Sequence, residues 1–168
     1  MKKESFIVKG LAGKKTLRGI ISIRGAKNAA LKAMAAALLF DSEVELHNIP
    51  NTEDIFTMAS ILKNLGAKVE WRNGHLFIDC ASVTSSDLDT KLAGIMRASV
   101  VATGPLLSRF GKTTFPEPGG CVIGARPIDQ FIMGYKAMGA KVIENDCVFN
   151  IEMDKKLSLT DVSIKFDK

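Results

Sequence analysis

An internal repeat constrains the fold of this 168-residue chain more than any other feature. Residues 55–69 and 128–142 share one pattern. In each, residues with the apolar spacing of a helix end at a Gly, and a strand that begins Lys-Val follows. A turn and a second short strand come next in both copies. Asn73-Gly74 is a strong signal for a hairpin turn in the first copy.

A long helix rich in small apolar residues precedes each of these segments, at about residues 28–39 and 97–107. Helices that are apolar on nearly all sides are usually buried on most of their surface. A short strand follows each helix. The sequence therefore predicts an α/β fold in which a β-α-β-α-β-β unit is used twice, over residues 25–80 and 81–153.

The two ends of the chain do not complete a unit. Residues 157–166 have the pattern that would begin a third copy, and the chain stops at Lys168. Residues 6–8 and 19–23 are predicted strands, although an isolated pair of strands is marginal in water. We therefore expect 25–168 to be an incomplete first domain, and 1–24 to supply strands to a second domain that is absent from this chain.

Composition and charge narrow the class of protein. The net charge of +5 favours anionic ligands, either phosphorylated metabolites or nucleic acid. The basic residues form no stripe with interleaved aromatics, so a nucleic-acid partner is not expected. There is no signal-peptide core and no apolar run of about 18 residues, which predicts a cytoplasmic protein without a membrane partner.

The cysteines and histidines indicate no metal site or disulfide framework. The three cysteines include no CxxC pair, and an odd number argues against a set of disulfides. Cys80 and Cys147 fall in or beside strand patterns, where a structural role is expected. His47 and His75 also lie in strand patterns, without a partner at ligand spacing, and are assigned no role.

Cys121 differs from the other cysteines because Gly119, Gly120 and Gly124 surround it. Glycines allow backbone N–H groups and a thiol to approach a ligand closely. Arg126 follows five residues later, and a cation near a thiol favours the thiolate. The alternative is a buried small hydrophobe, the common fate of a free cysteine. We interpret the segment as a reactive-cysteine loop that binds an anion.

Other candidate ligand-binding residues lie near the starts of helices. Pro127 suits the first turn of the helix after the cysteine loop, and free N–H groups there attract anions. Lys27 and Asn28 lie where the first Ala-rich helix begins, and Arg97 lies within the second. Charged groups in such apolar helices are costly unless they are partnered. The alternatives are a snorkelling or capping pair for Lys27 and Asn28, and an ordinary salt bridge for Arg97.

Three segments together resemble the UDP-N-acetylglucosamine enolpyruvyl transferase family. They are Gly25-Ala26-Lys27-Asn28-Ala29-Ala30-Leu31, Met96-Arg97-Ala98-Ser99, and residues 118–127 around Cys121. The resemblance implies an inverted α/β barrel of two domains, each of three β-α-β-α-β-β units, of which this chain holds only the first part. It also implies transfer of enolpyruvyl from phosphoenolpyruvate to the 3-hydroxyl of UDP-N-acetylglucosamine, the first committed step of peptidoglycan synthesis, without a metal or organic cofactor.

The resemblance also implies roles for individual residues. Cys121 would be the catalytic general acid, the site of a covalent adduct and the target of fosfomycin. Lys27 and Arg126 would hold phosphoenolpyruvate, and Asn28 and Arg97 would line the nucleotide-sugar site. The uridine end would meet five consecutive residues: Arg126, Pro127, Ile128, Asp129 and Gln130.

The chain departs from the family pattern at Lys32, Val101 and Phe131, where family members usually carry other residues. It also lacks a later aspartate and arginine of the family. We therefore expect an incomplete enzyme with little activity alone, whose remaining portion could be a separate chain. A non-catalytic module that binds a nucleotide sugar is the alternative, and a nucleic-acid-binding domain is the least favoured.

Overall fold

The computed structural model describes residues 5–10, 12–13, 16–119 and 128–153. The first repeat consists of α1 (Lys27–Ala36) with a 3₁₀ extension (Ala37–Leu39), β1 (Val44–Leu46), α2 (Glu53–Asn64), β2 (Lys68–Arg72) and β3 (His75–Asp79). The second consists of α3 (Thr90–Gly94), a 3₁₀ segment (Arg97–Ala102), α4 (Thr103–Phe110), β4 (Lys112–Pro116), α5 (Asp129–Ala137), β5 (Lys141–Asn145) and β6 (Val148–Glu152).

Each repeat builds a three-stranded antiparallel sheet with the same strand order. The first sheet runs β1-β3-β2 and the second runs β4-β6-β5. The central strand brings its apolar residues to one face, as at Leu76 and Ile78 in β3, which are fully buried. The predicted α/β class is confirmed, and the common strand order agrees with a duplicated unit. The first strand of the predicted β-α-β-α-β-β unit is not formed among the described residues, and in the second repeat a single parallel bridge joins Asp87 to Thr114 before α3 begins.

The helices pack against one another and carry the core between the two sheets. α1 contacts α2 and the 3₁₀ segment, and α4 contacts the extension of α1. Met34, Leu38, Met58 and Leu106 are fully buried and belong to one continuous apolar cluster. This packing holds the first residues of α1 beside the 3₁₀ segment, and the two repeats therefore meet there.

The strands predicted within residues 1–24 are not formed in the described part of that region. Residues 5–10 and 16–24 carry no strand, and the side chains of Phe6, Ile7 and Ile20 are 101%, 95% and 98% exposed. Extended segments need a neighbouring strand to pair their backbone groups, and an isolated pair is marginal. Their assignment to a second domain stays a prediction.

The long helix predicted over residues 97–107 is divided in the structure. Arg97–Ala102 forms the 3₁₀ segment, and a new α-helix, α4, starts at Thr103. Pro105 explains the division, because proline has no N–H to donate and is tolerated only in the first turn of an α-helix. The hydroxyl of Thr103 donates to the carbonyl of Val100 at 2.6 Å, which stabilises the junction.

The two hairpins are closed by equivalent turns with positive φ. Asn73 and Gly74 have φ values of 51° and 81°, and Asp146 and Cys147 have 47° and 61°. Positive φ at both central positions is typical of the type I′ turn that suits a twisted hairpin. Cys147 is the second central residue of its turn and lies directly beside β6, as its predicted position in or beside a strand allows.

α2 and α5 end in the same hydrogen-bonded motif. The N–H of Ala67 donates to the Leu62 carbonyl at 3.0 Å, and the N–H of Ala140 donates to the Tyr135 carbonyl at 2.9 Å. These six-residue bonds define Schellman ends, which need a residue with positive φ at C′. Gly66 and Gly139 occupy those positions, with φ of 107° and 89°.

These two glycines should differ in how much stability they lose on substitution by Ala. A Cβ on Gly139 meets nothing within 4 Å, whereas a Cβ on Gly66 lies 2.9 Å from the backbone oxygen of Ser82. Gly139→Ala should therefore cost about 1–2 kcal/mol from backbone strain alone. Gly66→Ala should cost about 3 kcal/mol, because overpacking is added. Urea unfolding of both variants measures the difference, and equal losses would contradict this account.

No helix in the described part of the chain combines the length and the apolar character that are required to cross a bilayer.

Candidate functional site

An open cleft of about 570 Å³ lies where the first residues of α1, the 3₁₀ segment and α5 meet. It brings together side chains from both repeats that are far apart in the sequence. Three of them, Lys27, Asn28 and Arg97, are predicted site residues. The lining also includes Leu31, Asp54, Ile95, Met96, Ala98, Val100, Val101 and Phe131.

The backbone before α1 sets where Lys27 and Asn28 point. The N–H of Gly25 donates to the carbonyl of Asn48 at 3.2 Å. A Cβ at position 25 would lie 2.2 Å from that carbonyl oxygen, so only glycine permits this approach. α1 then starts at Lys27 without a side-chain cap among the described residues. Its first N–H groups and its dipole add positive potential beside Lys27.

Lys27 forms an ion pair with Asp54, a residue that the sequence prediction did not include. The Lys27 ammonium donates to the Asp54 carboxylate, and the side chains of the two residues are 43% and 37% exposed. Asp54 lies in the first turn of α2, where an acidic residue is common because it complements the helix dipole. Because acidic residues are common at such positions, the sequence does not indicate that Asp54 also pairs with Lys27. The pair holds Lys27 over the cleft while leaving it accessible to an anion.

Arg97 approaches the cleft from the second repeat. It is the first residue of the 3₁₀ segment and is partly buried. The backbone of Met96 before it is extended, and Ser99 after it is buried. The Ser99 hydroxyl donates to the carbonyl of Ala93 at 2.9 Å, which fixes the local backbone. Arg97 thus lines the cleft from a segment that packs against α1, a position suited to a residue that binds a charged ligand.

The first residues of α5 lie beside this cleft, and only one side chain there lines it. Ile128 is 6% exposed and belongs to the core, while Asp129 and Gln130 are exposed and are not lining residues. The next residue, Phe131, does line the cleft. The structure therefore brings Lys27, Asn28 and Arg97 together, but not the side chains of 128–130.

Cys121, Arg126 and Pro127 lie outside the described residues. The described chain before them passes close to the cleft, because a Cβ on Gly119 would lie 1.9 Å from the carbonyl oxygen of Gly94. Gly94 directly precedes Ile95, which lines the cleft. Glycine is required at position 119 for this backbone contact.

Two of the three departures from the family pattern line the cleft. Val101 and Phe131 form apolar parts of its wall, together with Ile95, which is 64% exposed. Lys32 is exposed and is not a lining residue. The cleft therefore combines the Lys27–Asp54 pair and Arg97 with an apolar wall formed by Ile95, Val101 and Phe131.

Cys80 has the structural role that the sequence predicted. The residue is fully buried, and burial raises the pKa of its thiol. A thiol with a raised pKa stays protonated and is a poor nucleophile. Among the described cysteines, Cys147 is the exposed one.

Residues 11–168 match the sequence model of the EPSP synthase (3-phosphoshikimate 1-carboxyvinyltransferase) family. The chain belongs to this family. A UDP-N-acetylglucosamine 1-carboxyvinyltransferase of Prochlorococcus marinus is 45% identical over 156 residues, which are 91% of this chain and 34% of that protein. A protein named UDP-N-acetylglucosamine 1-carboxyvinyltransferase 2, from Carboxydothermus hydrogenoformans, is 44% identical over 83% of this chain and 32% of its own length.

Solved structures give the same fold. The enolpyruvyl transferase NikO from Streptomyces tendae superposes with a TM-score of 0.72 at 17% identity, over 83% of this chain and 31% of that one. An EPSP synthase from Acinetobacter baumannii gives 0.54 at 14% identity, over 78% and 31%. The predicted enolpyruvyl transferase fold is therefore confirmed. The chain spans about a third of the length of the curated relatives that it matches.

Proposed function

We propose that this chain provides one wall of the active site of a UDP-N-acetylglucosamine 1-carboxyvinyltransferase. The reaction moves enolpyruvyl from phosphoenolpyruvate to the 3-hydroxyl of UDP-N-acetylglucosamine and releases phosphate, as the first committed step of peptidoglycan synthesis. The main support is the cleft in which Lys27, Asn28 and Arg97 converge from two repeats. Both substrates are anions, and the cleft presents cationic groups to them.

In this proposal Lys27 binds phosphoenolpyruvate together with Arg126, because charge-assisted hydrogen bonds suit its phosphate and carboxylate. Asn28 and Arg97 orient the nucleotide sugar across the cleft. The segment from Arg126 to Gln130 meets the uridine end, with Ile128 contributing backbone groups because its side chain is buried. Asp54 keeps Lys27 in position before the substrate arrives.

Cys121 has the central chemical role in the proposed mechanism. The 3-hydroxyl oxygen adds to C2 of phosphoenolpyruvate while the Cys121 thiol gives a proton to C3, which yields a tetrahedral ketal. Loss of a proton from C3 and of inorganic phosphate then restores the double bond in the product. The base that accepts the hydroxyl proton is expected in the part of the relatives that this chain does not cover.

A chimera tests the proposal more sharply than the chain alone. We would replace the matching third of the Prochlorococcus marinus relative with this chain and measure phosphate release. The expected result is release that needs both phosphoenolpyruvate and UDP-N-acetylglucosamine. The 168-residue chain by itself should release little phosphate, because domain closure normally completes such sites.

Two outcomes would contradict the proposed transfer reaction. A folded chimera that binds UDP-N-acetylglucosamine but releases no phosphate would favour the non-catalytic nucleotide-sugar module. A folded chimera that binds neither substrate would show that the cleft is not a substrate site. Circular dichroism of the chimera beside the parent relative verifies folding in both cases.

A further inference from the structure

Three side chains with metal-binding atoms meet on the exposed face of the first sheet. β1 and β3 are antiparallel, with Leu46 opposite Leu76, so the next residues along, His47 and His75, face each other across the strands. Glu45 lies two residues before His47 and therefore projects to the same face. The spacing along the chain provides no partner for His47 and His75, but the pairing of β1 with β3 makes them neighbours.

The geometry of this cluster is close to that of a tetrahedral metal site. Nε2 of His47 lies 3.1 Å from Oε1 of Glu45, and the two imidazole centroids are 4.1 Å apart. One ligand atom from each of the three residues lies within 4.8 Å of the others. Bonds of about 2.0–2.1 Å to a tetrahedral zinc ion place ligand atoms about 3.3 Å apart. The widest spacing in the cluster, up to 4.8 Å, would have to shorten by about 1.5 Å for all three atoms to bind one such ion.

His75 carries a second indication of a missing partner. Its Nδ1 atom is buried and has no hydrogen-bond partner among the described residues. Buried polar atoms in proteins are almost always paired, so an uncommitted ring nitrogen needs an explanation. Coordination of an ion by Nδ1 of His75 would supply this atom with the partner that it lacks.

The charges around the cluster favour a cation. Arg72 lies opposite His75 across the β2–β3 pair. Its guanidinium forms an ion pair with Glu43, lies 3.6 Å from Glu70 and stacks over the Phe77 ring at 3.7 Å. The charge of Arg72 is thus balanced by Glu43 and Glu70, which lie outside the cluster. With Glu45 included, the carboxylates on this face outnumber the one cation, and the resulting negative potential attracts positive ions.

We propose that Glu45, His47 and His75 form a binding site for a divalent transition-metal ion of the zinc class. Two imidazoles and one carboxylate suit such ions, whereas Mg²⁺ and Ca²⁺ prefer oxygen ligands. Three protein ligands leave a fourth position for water. The ion would join β1 to β3 and stabilise the first sheet. None of the three residues lines the cleft, so this inference does not depend on the proposed function.

Calorimetric titration of the 168-residue chain with ZnCl₂ tests the site. The titration would use the Cys121→Ser/Cys147→Ser variant, in which the remaining Cys80 is fully buried and cannot compete for zinc. We expect one Zn²⁺ per chain. His47→Gln and His75→Gln should each weaken binding about tenfold or more. Each removes a residue that binds the ion directly, and its loss should cost more than the loss of a residue that only supports a ligand. Zn²⁺ should also raise the melting temperature of this variant.

Glu144→Gln provides a matched control for Glu45→Gln. Both substitutions remove one negative charge from an exposed strand residue, but Glu144 lies in β5 of the second sheet and does not belong to the cluster. Glu45→Gln should weaken zinc binding severalfold, and Glu144→Gln should leave it within about twofold. If His75→Gln fails to fold, His47→Gln decides the matter, because the His47 side chain is 63% exposed. Absence of zinc binding, or binding unchanged by His47→Gln, would overturn the proposal.

Discussion

Replacing Cys121 with Ser in the chimera should lower the rate of phosphate release by about 100- to 10,000-fold, the range that general acid–base groups contribute. A serine hydroxyl is nearly the same size as a thiol but is a far weaker acid. It cannot deliver a proton to C3 of phosphoenolpyruvate at neutral pH as Cys121 is proposed to do. Steady-state release of phosphate from both substrates measures the effect.

Cys147→Ser is the matched control for this substitution. Cys147 is exposed in the turn between β5 and β6 and is not a lining residue of the cleft. The same chemical change there should leave phosphate release within about twofold of the parent, as for most surface substitutions. Equal activity of the Cys121→Ser and parent chimeras would refute the proposed role of Cys121. UDP-N-acetylglucosamine binding should survive in both variants.

The local signals in the sequence predicted the elements well because their physical causes are local. Gly66 and Gly139 end α2 and α5 through positive φ, a requirement that is visible in the residue type alone. Asn73-Gly74 specifies its turn in the same way. The duplicated pattern helped further, because a weak signal in one copy could be interpreted from the stronger signal in the other. The hairpin turn at Asp146 was predicted in this way from its counterpart at Asn73-Gly74.

Predictions that depended on tertiary partners succeeded less often. Residues 6–8 and 19–23 have strand composition, but a strand forms only where another strand pairs with it. The undivided helix predicted over 97–107 is a different kind of error, because Pro105 is a local signal that should have outweighed the apolar content in placing the start of the α-helix.

The residues around the sites show the same limit. Lys27 and Arg97 could be named from the sequence, because a charge in an apolar helix is unusual. Asp54 could not, since an acidic residue in the first turn of a helix is ordinary. His47 and His75 become neighbours only through the register of β1 and β3, which no spacing along the chain reveals.

Replacing Lys27 with Met in the chimera should lower kcat/KM for phosphoenolpyruvate by about 10- to 150-fold. This range corresponds to about 1.5–3 kcal/mol for a hydrogen bond to a charged group. Met keeps the length and apolar stem of Lys and removes only the ammonium, which in the free protein is held over the cleft by Asp54. Because the contact proposed for Lys27 is to the substrate phosphate or carboxylate, the KM for phosphoenolpyruvate should rise. Affinity for UDP-N-acetylglucosamine should change little.

Lys32→Met separates this contact from a general loss of positive charge. Lys32 is exposed on the same helix, α1, and does not line the cleft. Its substitution changes the net charge by the same amount as Lys27→Met, but salt screens an exposed charge that makes no contact with the substrate. The KM for phosphoenolpyruvate should therefore stay within about twofold of the parent. An equal rise in KM for both variants would show that Lys27 acts only through the overall field, and would remove it from the phosphoenolpyruvate site.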